Sequence, residues 1–305
     1  MYAFISSIGL ISPQNTCFHD YSCGIDHQGD SVLHCIEPPY KELINPIQLR
    51  RMSRILKLGL GAAQLCLHRA HHIEPDAVIA GTGLACVSDL EQFLQMMMKD
   101  EGAGLSPIPF INSSHNMVTA QIAKTLNIHG YNNTHCNRRL SFEHALLDGL
   151  MLLNEQTAEQ VLVGGIDEYN GAYHRLMGTP VAGEGAGFFL INRLQGMAKI
   201  EEVQTWHGPM NRSIDMKGVD ALFFGTNGDA AEELFYQKIA EEALSKRIAI
   251  HPYKRYCGEY PTSSAFALAL ASESIRLGRY NKILIYNQYW GQYHGLISIR
   301  RSPNE

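Results

Sequence analysis

Apolar and polar positions along the chain follow two different periods, and the period switches repeatedly. Short apolar runs at residues 2–8, 77–80, 160–163, 187–191 and 199–203 predict buried strands. Between them lie stretches with apolar residues every three or four positions. Residues 50–72 place Met52, Ile55, Leu56, Leu60, Ala63 and Leu67 on one side of a helix. Residues 88–99 predict a second helix, with Ser88 or Asp89 as cap, and 114–126 a third, capped by Ser113 or Ser114. Pro107 and Pro109 read as breaks, and residues 20–46, rich in polar residues, His and Pro, as an irregular loop. A short strand over 132–135 precedes a strongly apolar helix over 140–154. The alternation then recurs: strand 221–224, helix 230–244, strand 248–250, helix 263–277, and strands 282–286 and 295–300. Alternating strands and helices predict a layered α/β architecture with strands covered on both faces. The two rounds predict a duplicated fold, with halves at residues 1–195 and a shorter 196–305.

Composition narrows the class. Hydrophobic residues are 45% of the 305 and charged residues 18%, enough apolar material for a large core. The net charge of −5, without a basic block, argues against nucleic-acid or anionic-membrane binding. No apolar run approaches the roughly 20 residues a membrane helix needs. The apolar start reads as a strand rather than a signal peptide, which points to a cytoplasmic protein. Seven cysteines, an odd number without a C-x-x-C pair, predict reduced thiols rather than a disulfide or zinc framework. The 14 histidines form no metal-binding pattern, so neither a metal nor another cofactor is expected.

Four stretches carry a family signature. They are Arg50-Arg51-Met52-Ser53-Arg54, Val163-Gly164-Gly165-Ile166-Asp167-Glu168, Val181-Ala182-Gly183-Glu184-Gly185-Ala186-Gly187, and Lys254 with Gly258 ahead of a small-residue helix. In order and character they resemble the R-R-M-x-R, V-A-G-G-A-E, G-E-G-A-G and K-S-x-x-G-H motifs of β-ketoacyl synthases of the thiolase superfamily. The resemblance implies a thiolase-like five-layer α-β-α-β-α fold built from two similar halves. The alternating glycines have their own physical reading: they let the backbone pass close behind another segment.

The resemblance also locates the catalytic positions, and there the chemistry is absent. The family's nucleophilic cysteine stands nine residues after a glycine and about 25 before the Gly-Gly pair. Counting from Gly130 and from Gly164 reaches one residue, Arg139. The first catalytic histidine corresponds to Phe224 and the second to Glu259; the lysine is kept as Lys254. Arginine is no nucleophile, phenylalanine has no polar donor, and an ionised glutamate accepts hydrogen bonds without donating. Cys136 lies three positions away, a slip of about 4.5 Å and roughly 300° on a helix. It reads as a buried small residue in the strand or turn before that helix. A buried arginine needs a carboxylate, so Arg139 or Arg138 is expected to pair with Glu259.

A ketosynthase-like chain without its cysteine and histidines resembles a chain-length factor, which pairs with an active ketosynthase and shapes the acyl tunnel of the pair. Residues 130–134 and 140–148 most resemble short ketosynthase-like proteins of aryl-polyene and flexirubin pathways. The implied partners are an active β-ketoacyl synthase subunit, in a heterodimer, and an acyl carrier protein. Two other readings stay open. One is a condensing enzyme or acyltransferase using Cys136 with His135 or His115, or Glu259 with Lys254. The other is a scaffold that only recruits carrier protein. His144, the run Met96-Met97-Met98 and the aromatics of residues 286–293 read as packing, the last bordering a cavity or an interface.

Overall fold

Strands whose two faces are both apolar must be covered on both sides, and the layers of the protein follow from that requirement. In the computed structural model, which describes residues 1–14, 31–99, 107–178, 181–209, 213–228 and 230–302, the first round runs β1 (Ala3–Ile11), β2 (Val32–Leu33), α1 (Tyr40–Leu43), α2 (Pro46–Leu49), α3 (Arg54–Arg69), β3 (Ala77–Gly81), α4 (Val87–Lys99), α5 (Pro107–Asn112), α6 (Met117–Leu126), β4 (Asn132–His135), α7 (Ser141–Asn154), β5 (Gln160–Asp167), α8 (Gly171–Met177), β6 (Ala182–Gly183) and β7 (Gly185–Asn192). The second runs β8 (Ala198–His207), β9 (Ala221–Phe224), α9 (Ala230–Ser245), β10 (Ala249–Pro252), α10 (Lys254–Cys257), α11 (Ser263–Arg276), β11 (Lys282–Tyr289) and β12 (Tyr293–Arg301). Cys17, Cys23 and the first part of the expected irregular loop lie outside the described residues.

Ten strands form one sheet in the order β10-β9-β11-β12-β8-β1-β7-β5-β3-β4. Each round contributes five of them in the same arrangement. Numbered within its own round, each set is ordered 3-2-4-5-1, with the inner strands parallel and the fifth antiparallel. The two sets meet where β1 pairs antiparallel with β8, Phe4 opposite Lys199. A small parallel pair, β2 with β6, stands apart.

Side-chain alternation along the strands sorts the core into three slabs. Ala77 and Ile79 of β3, and Ala221 and Phe223 of β9, face a central slab built on α7 and α11. Val78 and Ala80 turn the other way, onto α3 and α6. Leu222 and Phe224 turn away from the centre onto α9. Read outward, the layers are α3 with α6, the first five strands, α7 with α11, the second five strands, and α9. This is the expected five-layer architecture of two similar halves.

Some local expectations need correction. Residues 107–112 form a helix despite two prolines, because both stand in the first turn, where the missing N–H is unused. The cap of α6 is Asn116, not Ser113 or Ser114. Met97 and Met98 are exposed on α4, Met98 at 85%, so the methionine run does not fill the core.

Candidate functional site

Two motif pairs meet, one held by charge and the other by a close backbone passage. Arg54, at the start of α3, sends Nη1 and Nη2 to the two carboxylate oxygens of Glu184, at 2.5 and 2.6 Å. Glu184 also accepts from the backbone N–H groups of Cys35 and Tyr169. Burial opposes its ionisation, but Arg54 and these donors hold the carboxyl below its usual range. Gly183 crosses Gly258 so closely that a Cβ on either would strike the other's backbone, and Gly183 N–H donates to Glu259 O at 3.0 Å. The alternating glycines thus serve the close backbone passage expected of them. Asp167, at the end of β5, accepts from Thr82, Gly83 and Leu84 and from the backbone and hydroxyl of Thr262, tying β3 and β5 to the start of α11. Burial still pushes its pKa up to about 6.

Strand β4 leads into a sharp elbow. Residues Arg138–Leu140 form a 3₁₀ turn before α7, and Arg138 has the left-handed φ of 51°. Ser141 staples this turn: its Oγ accepts from Asn137 N–H at 2.8 Å and donates to Arg138 O at 2.6 Å. The elbow sends consecutive arginines in different directions. Arg138 is exposed, while Arg139 is 4% exposed.

Arg139 enters a buried polar cluster. Its Nη1 lies 3.2 Å from Glu232 Oε1 on α9, and its Nε lies 3.5 Å from Glu259 Oε1. Its guanidinium sits 4.1 Å from the ring centroid of Tyr289. On the far side of Glu259, Lys254 Nζ donates to Oε2 at 2.7 Å and to Asn287 Oδ1 at 3.0 Å. Asn227 Nδ2 also donates to Glu259 Oε2. Burial disfavours the charge on Glu259, yet Arg139 and Lys254 hold its pKa below the ordinary value. At Glu232 burial prevails over Arg139 and Lys254, and the pKa is raised. Arg139 and Lys254 therefore face two carboxylates with opposite tendencies to ionise. The cluster offers no nucleophile and no neutral hydrogen-bond donor of imidazole type. A cavity on one side of Arg139, lined by residues including Tyr169, Tyr173, Glu259 and Tyr260, is about 20 Å³, room for one water.

The structure thus brings together Arg139, Lys254 and Glu259, and it is Arg139, not Arg138, that reaches Glu259. It does not bring in the Phe224 side chain. That ring lies on the opposite face of β9, packed on Tyr236 and Tyr286 in the outer core. Strand alternation explains the difference: Phe223 faces the centre and Phe224 faces out. Cys136 is exposed rather than buried, and among the described residues its hydrogen-bond contact is with Gly83 O, at 3.9 Å. Partial burial of its thiol, with Asp167 nearby, raises its pKa, the reverse of nucleophile activation. His135 Nε2 bonds Asp148 Oδ2 at 2.8 Å, His144 lies between Asn137 and Thr205, and His115 is exposed. None of these rings touches the thiol. Among the described residues no His, Cys, Asp and Glu cluster fits a metal ion, and no helix is long and apolar enough to cross a membrane.

The motifs did not reveal Glu232. A signal existed: Glu232, Tyr236, Ile239 and Ala243 recur at helical spacing and share the buried face of α9.

This strand order and layering define the thiolase-like fold of condensing enzymes. Among solved structures the chain is similar to the ishigamide ketosynthase/chain length factor, with a TM-score of 0.80, 17% identity and 99% of each chain covered. It is also similar to a ketosynthase (ApeO) in complex with its chain length factor (ApeC) from Xenorhabdus doucetiae, with a TM-score of 0.78, 13% identity and 98% of each chain covered. A β-ketoacyl synthase from Burkholderia phymatum STM815 matches at a TM-score of 0.78 and 11% identity, over 98% of this chain and 99% of that one. No protein-family model and no curated protein matches the sequence.

Proposed function

We propose that the chain is a non-catalytic ketosynthase-like subunit of the chain-length-factor type. In this reading it pairs with an active β-ketoacyl synthase and limits the acyl tunnel of the pair, in carrier-protein-dependent synthesis of polyene-like chains. In this reading Arg139 and Glu259 take the places of the family's reactive cysteine and second histidine and Lys254 is retained, while Phe224 replaces the first histidine in sequence with its ring turned to the outer core. The observation that carries the reading is Arg139 itself: a guanidinium tied to Glu259 and Glu232 fills the mouth of α7.

The partner fits at β4. This strand is an edge of the ten-stranded sheet, where a strand of a second chain of the same fold can be added. Its polar sequence, Asn132-Asn133-Thr134-His135, suits a seam between subunits better than a core. Side-chain volume there can set product length, since overpacking by a methylene or two costs roughly 1–3 kcal/mol.

Purified chain incubated with acyl- and malonyl-loaded carrier protein should show no covalent adduct by intact-mass spectrometry. Co-expression with an active ketosynthase should give a one-to-one complex, and bulky substitutions at 132–135 should shorten its products. An acyl adduct on Cys136 rejects the reading. Reduced yield at unchanged product length favours a scaffold that only recruits carrier protein.

A further inference from the structure

Side chains two positions apart on a strand share a face, and at β4 three of them reach one atom. Tyr131 Oη donates to Asp148 Oδ2 at 3.1 Å, Asn133 Nδ2 donates at 3.1 Å, and His135 Nε2 lies at 2.8 Å. Asp148 stands on α7, so one carboxylate ties the edge strand of the sheet to that helix. Burial opposes its ionisation, but His135, Asn133 and Tyr131 hold its pKa below the ordinary value, and it stays an anion at neutral pH. The pair is only partly covered: the side chains of His135 and Asp148 are 27% and 16% exposed.

The carboxylate fixes one proton on His135 Nε2, so the proton that comes and goes near neutrality is the one on Nδ1. The neighbours leave His135 as the group that changes charge. On α7, His144 turns to Asn137 and Thr205, with its ring centroid 6.4 Å from that of His135, and burial together with His135 lowers its pKa. Strand β3, Ala77–Gly81, carries no titratable side chain. Helix α6 lies against the other face of β4, where Thr119 meets Asn132 and Thr134. Cys136, next in the chain, contacts Gly83 O. Among the described residues no other cation pairs with Asp148. A strand added at β4 brings its Cβ atoms to about 5 Å from those of Asn133 and His135 and takes water from the pair. With His135 protonated, the covered pair is neutral. With His135 neutral, the same coverage leaves a carboxylate without a counter-charge, and a lone buried charge costs far more than a pair.

We propose, resting on the pairing at β4 argued above, that binding of the ketosynthase subunit takes up a proton at His135, so that the His135–Asp148 pair makes the two subunits associate more tightly as the pH falls. The test is analytical ultracentrifugation of the full chain with its co-expressed active ketosynthase, with the dissociation constant measured from pH 6.0 to 8.5. One coupled proton changes that constant by up to about tenfold per pH unit, so it should rise about tenfold between pH 6.5 and 8.0. His135→Gln keeps a donor for Asp148 but no titrating ring, and should give a flat profile near the alkaline value. Asp148→Asn removes the anion and should reverse the slope, because covering a protonated His135 then leaves that charge alone. His144→Gln should keep the slope of the unaltered chain. A complex whose pH profile is the same with and without His135→Gln overturns the proton coupling and leaves the pairing standing. So does a slope abolished by His144→Gln and kept by His135→Gln. No complex at any pH overturns the pairing and the coupling together.

Discussion

Two arginine–glutamate clusters flank the chain crossing at residues 181–187, the first with a half-buried arginine and the second with a buried one, and they are built to different standards. In the first, Arg54 meets Glu184 with both ends of its fork, and two backbone N–H groups take up further capacity of the carboxylate. In the second, Arg139 touches Glu259 by one nitrogen at 3.5 Å, and Glu259 Oε1 accepts no hydrogen bond. Geometry this different points to different duties. The first pair joins α3 to the strand β7 hairpin and shapes the scaffold. The second neutralises and fills a space, and a near fit suffices for that. Charges in the second cluster are shared among four groups, so no single one is indispensable.

That contrast can be broken first at Arg54. Arg54→Met leaves Glu184 buried with no cation, and should lower stability by about 3–5 kcal/mol in urea denaturation. Arg139→Met should cost less, about 1–3 kcal/mol, because Lys254 stays on Glu259 at 2.7 Å. If Arg139→Met proves the more damaging, the inner cluster is the structural one and the comparison fails.

Glu143, in the first turn of α7 beneath the inner cluster, sharpens the picture through pH. Burial pushes its pKa up to about 7, against an ordinary value of 4.5, with Ser264 and Lys254 pulling weakly the other way. Between these values the folded chain holds a proton that the unfolded chain has lost, so its contribution makes stability fall as pH rises from 4.5 to 7. Glu143→Gln should remove that slope and stabilise the chain at pH 8 by roughly 3 kcal/mol, read from melting curves across pH. Glu259 has the opposite sign: its pKa is lowered, so its contribution is present above the ordinary carboxylate range and is lost on acidification. The smallest effect belongs to His34, whose exposed ring reaches Glu184 at 3.1 Å. His34→Ala should change stability by no more than about 0.5 kcal/mol, since Arg54 already satisfies that carboxylate.

Much of the fold was legible because each half buries its strands on both faces. Continuous apolar runs such as those of β5 and β7 announce themselves without tertiary knowledge. The prolines at 107 and 109 misled because a helix start and a loop share that signal. The site was half legible. Lys254, Glu259 and Arg139 lie at counted distances from glycine landmarks, whereas Glu232 is 93 residues from Arg139 and belongs to no motif.

Hydrophobic periodicity determined the order and type of the main elements, and the glycine pattern determined where backbones could cross. The bare identity of residue 139 puts a guanidinium, which is no nucleophile, at the turn before α7. Only the tertiary structure decided which arginine turned inward, which face of β9 received Phe224, and which distant carboxylate completed the cluster. The physical reason is that such choices depend on one backbone angle at the elbow, on the pleat of a strand and on charge balance in a closed space, none of which a linear spacing encodes.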